Sequence, residues 1–138
     1  MRKLIAAALL AVVAMAASAQ KEGPFKARLV NNEYKIYLCM DFYDKQITVP
    51  GMDVVGKVDG FIGSTQSRNK WIIVSSEIKK DNVAEIELVN DYGSEDLTAT
   101  ITREKDGTYT YRKKDGSTLK FAVNGKWQKL PGTIELKK

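Results

Sequence analysis

Any chemistry in this chain must be done without histidine, since its 138 residues include none. That omission removes the commonest general base and the commonest metal ligand together. Neither a Ser-His-Asp nor a Cys-His arrangement can be assembled. Cys39 has Asp41 two positions along, on the same face of an alternating run, and no base close in sequence. An acidic neighbour raises a thiol's pKa, the wrong direction for a nucleophile, so Cys39 reads as structural. Two carboxylate pairs, Glu85 with Glu87 and Glu95 with Asp96, have the residue types of glycosidase chemistry. The first pair falls on an outward strand face and the second at a hairpin end, so a carboxylate-based enzyme is the least favoured reading. Asp91, Ser94, Glu95 and Asp96 form an oxygen-rich group. Its spacing does not match a twelve-residue calcium loop, and such residues are ordinary turn formers. No catalytic residue, metal or cofactor is expected.

Aromatic residues offer binding instead. Tyr109, Tyr111, Phe121 and Trp127 stand in the last third of the chain, and Tyr92 stands in the turn Asp91-Tyr92-Gly93-Ser94. Exposed aromatic residues at loop tips are frequent partner contacts, which makes Tyr92 a candidate partner-binding residue.

The elements that position them follow from turn chemistry. Asp106-Gly107, Asp115-Gly116 and Asn124-Gly125 recur at a nine-residue spacing between short alternating runs, the mark of successive β-hairpins. A four-residue loop at 91–94 pairs Leu88 with Leu97, Ile86 with Ala99 and Ala84 with Ile101. A three-residue loop at 105–107 then pairs Ile101 with Tyr111 and Thr102 with Thr110, whereas a two-residue turn would set Ile101 against Arg112. The same geometry at 114–116 sets Tyr111 against Leu119 and Tyr109 against Phe121. At Asn124-Gly125 a two-residue turn pairs Leu119 with Leu130 and leaves Trp127 outside. A three-residue loop puts Trp127 inside, and is preferred because burying Trp gains more than burying Leu.

Upstream, 25–30 reads as a strand, and 34–43 alternates with Ile36, Leu38, Met40 and Phe42 on one face. Residues 46–49 read as a short strand ended by Pro50-Gly51. Residues 53–64 are strand-like but interrupted by Gly56, Gly60 and Gly63, which in a strand signal bends or close backbone approach. A polar loop is expected at 64–70 and a strand at 71–78. Residues 1–19, with Arg2-Lys3, an apolar run and Ala17-Ser18-Ala19, read as a cleaved signal peptide, leaving 20–138 as one domain. No cysteine follows that site to take a lipid anchor, and Cys39 alone cannot form an internal disulfide.

Charge is divided along the chain. Seven acids stand against Arg103 between Asp81 and Glu104, and nine bases against three acids between Lys105 and Lys138. Strands of opposite charge lying side by side explain that division, with Thr100 between Glu85 and Arg112 and Thr98 between Glu87 and Lys114. Nucleic-acid binding, which gathers bases on one surface, is not indicated.

The expected fold is all-β: an antiparallel meander of about eight strands closing into a small barrel. This arrangement resembles the calycin-like (lipocalin-like) barrels, and the run 90–130 is similar to those of small exported proteins of gut Bacteroidota. The lipocalin Gly-x-Trp signature is absent, since Ser64-Thr65 follow Gly63 and the next Trp is Trp71. The signal peptide implies an exported, periplasmic or secreted protein, the missing histidine argues for a non-enzymatic one, and the barrel implies a binding protein with an apolar or amphipathic small ligand in its interior. Tyr109, Tyr111, Phe121 and Trp127, the aromatic residues that the strand registers set on the inner face, are the candidate ligand-binding residues. The alternative is a protein-binding module, such as an inhibitor of a secreted hydrolase, working through end loops. Phe61-Ile62-Gly63-Ser64-Thr65 resembles the apolar-Gly-Ser/Thr loops of some barrel-shaped cysteine-protease inhibitors.

Overall fold

The structure, a computed structural model, describes residues 22–138; the expected signal peptide lies outside the described residues. The strands are β1 (Lys26–Asn31), β2 (Ile36–Asp41), β3 (Ile47–Thr48), β4 (Lys57–Val58), β5 (Gly60–Ser64) and β6 (Ser67–Lys80). They continue as β7 (Val83–Asn90), β8 (Asp96–Arg103), β9 (Tyr109–Gly116), β10 (Lys120–Val123), β11 (Lys126–Lys129) and β12 (Thr133–Leu136). Eight of them form one antiparallel sheet in the order β1-β2-β5-β6-β7-β8-β9-β12. Its two edges meet where Val30 and Lys137 exchange backbone hydrogen bonds of 2.7 and 3.0 Å, so the sheet is nearly closed into a barrel. The fold class is the expected one.

Alternation explains the inside. Ile36, Leu38 and Met40 of β2, Ala84, Ile86 and Leu88 of β7, and Leu97, Ala99 and Ile101 of β8 are all buried in one cluster. The registers expected for β7 with β8, and for Ile101 with Tyr111 and Thr102 with Thr110, are the observed ones. Gly107 is left-handed at φ +89°, and Asp106 Oδ1 accepts from the Thr108 amide at 2.9 Å and its hydroxyl at 2.6 Å. The polar stretch expected as a loop at 64–70 is mostly strand, turning only at Thr65-Gln66.

Two insertions leave the meander. The first, between β2 and β5, is a flap in which β3 pairs with β4 around a single 3-10 turn at Asp53–Val55. Val49 and Val58 of the flap bury Phe61 and Ile72 against it, so a second small core forms outside the barrel. A clamp holds the base of the flap: Asp59 Oδ2 accepts from the Ser76 hydroxyl at 2.6 Å and pairs with Lys45 Nζ at 3.6 Å.

The second insertion, β10 and β11, corrects the reading of the last two turns. Gly116 is left-handed at φ +90°, but it belongs to β9 and pairs with Leu97 instead of opening a hairpin. A Cβ there would lie 2.6 Å from the Asp96 carbonyl, so the chain needs glycine to bulge past β8. The bulge sets Asp115, not Lys114, opposite Thr98, and Lys114 reaches Glu85 at 3.1 Å. Leu136 and Ile134 of β12 take the expected places of Phe121 and Leu119 opposite Tyr109 and Tyr111. At Asn124-Gly125, φ values of +53° and +78° give a two-residue turn with Val123 opposite Lys126. Leu130 is consequently buried, its amide donating to the Leu119 carbonyl at 2.8 Å, and Trp127 is outside. The preference for an inward Trp127 fails because Trp71 already supplies the buried indole at that end, its Nε1 donating to the Lys120 carbonyl at 3.0 Å.

Candidate functional site

The interior comes first, because the expected ligand-binding residues point there. Tyr109, Tyr111 and Phe121 are all buried members of the core cluster, while Trp127 is 54% exposed. Side chains occupy both ends of the barrel. Leu119, Phe121, Val123 and Leu130 enter from the β10–β11 insertion, and at the other end Phe25 and Phe42 stack with centroids 5.8 Å apart. The two tyrosine hydroxyls differ. Tyr109 donates to the Pro24 carbonyl at 2.6 Å, whereas the Tyr111 hydroxyl is buried without a hydrogen-bond partner. Burial pushes the Tyr111 phenol well above its ordinary pKa, so it stays protonated.

The largest groove described lies outside, where the flap meets the outer faces of β1, β2 and β5. It has a volume of about 610 Å³. The strand register builds it: Arg28, Cys39 and Phe61 are paired across three strands, and Tyr37 lies in the next row beside Gly63. Tyr37 rests flat over that glycine, where an added Cβ would meet its hydroxyl at 2.5 Å and ring carbon at 2.6 Å. The Arg28 guanidinium sits 4.9 Å above the Tyr37 ring, and Phe61 meets that ring edge-on at 5.9 Å. Ile47, Thr48 and Pro50 of the flap form the facing wall. No carboxylate among the described residues forms an ion pair with Arg28. The Cys39 thiol is half-buried; burial raises its pKa, with Arg28 opposing, so it lines the groove as a neutral thiol.

The acids take structural places. Glu85 accepts from Lys114, and that hydrogen bond holds its carboxyl below the usual range, so it is an unsuitable general acid. Glu95 is lowered by hydrogen bonds from Lys120 and Ser117, and ties the base of the second insertion to the β7–β8 loop. Within the oxygen-rich group, Asp91 turns to Asn69 and Lys70 while Glu95 turns to Ser117 and Lys120, so their carboxylates diverge. Asn90 Oδ1 accepts from the Ser94 and Glu95 amides, which makes this loop a capped turn. Tyr92 stands at its tip, 73% exposed.

Alternation along 53–64 hinted at the outer groove through Gly60 and Gly63. Nothing local in the sequence shows that 46–58 folds back over these strands, and so neither Arg28 nor Tyr37 stands out as a site residue, and Phe61 stands out only within the 61–65 run. Together the fold and the groove define a small all-β barrel with an external flap site. Compared with models of known protein families, with curated proteins and with solved structures, the chain matches none.

Proposed function

We propose that this chain is an exported, non-enzymatic binding protein whose ligand is a small amphipathic anion held in the flap groove. The observation that carries the reading is the Arg28 guanidinium, stacked on Tyr37 at a groove of ligand size and free of any described carboxylate. Pockets for small molecules run ~300–1,000 Å³ and combine apolar walls with a few fixed polar groups. Arg28 offers a planar fork of donors to a carboxylate or phosphate head. Phe61, Ile47 and Pro50 take the apolar tail, and Thr48 and Gln46 lie within the lining for further polar contacts. The interior site expected from the barrel would require a ligand to displace packed side chains, so the groove is the better supported of the two. A protein partner at Tyr92 is the second reading, favoured by the exposure of that ring.

The test is titration with decanoate and with decanol, followed by amide chemical shifts. Decanoate is expected to shift Tyr37, Thr48 and Phe61, and Arg28→Gln to weaken it about 10–100-fold, the range for one charge-assisted hydrogen bond. Shifts centred on Tyr109 and Phe121, with Arg28→Gln binding normally, would return the ligand to the interior.

A further inference from the structure

A different face of the molecule carries a second site. Three depressions surround the Asn69–Asp91 hydrogen bond, and shared walls make them one surface. Arg68 is common to a groove of about 520 Å³ beside Ala122 and one of about 420 Å³ beside Tyr92. Asp91 joins the latter to a small notch under Trp127, and Asn69 joins that notch to the first groove. Trp127 pairs with Ala122 across the β10–β11 hairpin and lines the notch, with the Lys120 ammonium 5.3 Å from its ring centroid. The result is a joined surface on which Trp127, Arg68 and Tyr92 are exposed.

The polar inventory of this face is specific. Asn69 is already satisfied: its Oδ1 accepts from the Ser67 hydroxyl and the Ala122 amide, and its Nδ2 donates to Asp91. Asp91 Oδ2 takes that bond and another from the Lys70 amide, which leaves Oδ1 as an acceptor. Arg68 and Lys70 form no ion pair with a described carboxylate, and the Lys70 ammonium donates only to the Arg68 carbonyl, at 3.2 Å. Arg68 and Lys70 therefore retain unused donors, and the Tyr92 ring and the part of the Trp127 ring that Lys120 does not cover face solvent.

We infer that this face binds an oligosaccharide containing uronate residues. The two aromatic rings suit the C–H faces of pyranose rings, which are apolar and flat. Arg68 and Lys70 suit a sugar carboxylate, and Asp91 Oδ1 accepts from a neighbouring hydroxyl. Single-stranded nucleic acid calls for a basic groove that tracks its backbone, whereas the cations of this face without an ion pair to a described carboxylate are Arg68 and Lys70, with Asp91 beside them. The site borders the Arg28 groove at Pro50 and Thr65, which line both, while Arg28 itself lines the flap groove and none of these three depressions.

The experiment is calorimetric titration of the protein with oligogalacturonate hexamer, neutral cellohexaose and a hexathymidylate. The hexauronate is expected to saturate at one site. Trp127→Ala, Tyr92→Ala and Arg68→Gln should each weaken it by about tenfold or more, while Arg28→Gln leaves it unchanged. All are exposed positions, and unchanged circular dichroism checks folding. The inference is overturned if the hexauronate does not saturate, or if those three variants bind as the wild type does. Cellohexaose binding equally well would remove the uronate, and tighter binding of hexathymidylate would make the face a nucleic-acid site instead.

Discussion

Tyr109 and Tyr111 stand two residues apart on one strand face, both buried, yet removing their hydroxyls should act in opposite directions. The Tyr111 hydroxyl is in the core with no partner. A buried hydroxyl lacking a hydrogen bond costs about 1–3 kcal/mol by mutational measures. Tyr111→Phe keeps the ring packing and deletes that cost, so the variant should be more stable by roughly 1 kcal/mol or more. The Tyr109 hydroxyl donates to the Pro24 carbonyl at 2.6 Å, and Tyr109→Phe should lose about 0.5–1.5 kcal/mol, the net worth of such a bond. Urea unfolding resolves both: with a slope near ~2 kcal/mol per molar, a 1 kcal/mol change moves the midpoint by ~0.5 M at constant slope. If Tyr111→Phe instead loses more than ~1 kcal/mol, the hydroxyl has a partner inside the barrel. That result would refute the packed-interior reasoning and revive an internal water or ligand.

The turn at Asn124-Gly125 is tested by comparing its two flanking residues. Leu130→Ala should destabilise by about 2–5 kcal/mol as a core truncation, and Trp127→Ala by under ~1 kcal/mol in the same urea assay. The reverse order would restore the three-residue loop. Gly116→Ala should be strongly destabilising, because its φ is +90° and a Cβ would meet backbone of Asp96 and Leu97; thermal unfolding reads the loss. Gly63→Ala should fold, since the atoms it meets belong to the Tyr37 side chain, but should displace that ring and abolish decanoate binding. For Glu95, the folded pKa lies below the ordinary 4.5, so its bonds to Lys120 and Ser117 contribute fully above that pH. Their contribution is lost as pH falls through the lowered value. Glu95→Gln should therefore flatten the acid limb of the stability profile, measured by urea midpoints between pH 3 and pH 6.

The central sheet was legible because each of its strands obeys a local rule. Leu88 opposite Leu97 follows from the loop at 91–94, and Tyr111 opposite Ile101 follows from Gly107. Gly116 shows where such rules stop. The sequence signal for a left-handed glycine was correct, but left-handed geometry serves a hairpin turn and a bulge equally well. Which one forms depends on Ile134 and Leu136, about twenty residues on, competing for the edge of β9. Trp127 illustrates the same limit in energetic form. Its burial gain was counted as if the barrel end were empty, whereas Trp71, fifty-six positions earlier, occupies it.

Both misreadings concern the β10–β11 insertion, and each candidate site borders an insertion, one the flap and the other that hairpin. The coincidence has a physical cause. A meander whose inner face is filled offers ligands only its outer faces and ends, and a flat outer face makes no groove. The flap converts the outer face of β2 and β5 into a walled site by standing Ile47 and Pro50 opposite Tyr37 and Phe61. The β10–β11 hairpin does the same at the barrel end, where Ala122 closes the groove that Arg68 lines. Local alternation specifies the barrel, and long-range docking of two insertions specifies where anything can bind. The glycines mark the join: at Gly60 and Gly63 a side chain would collide with the β2 backbone or with Tyr37.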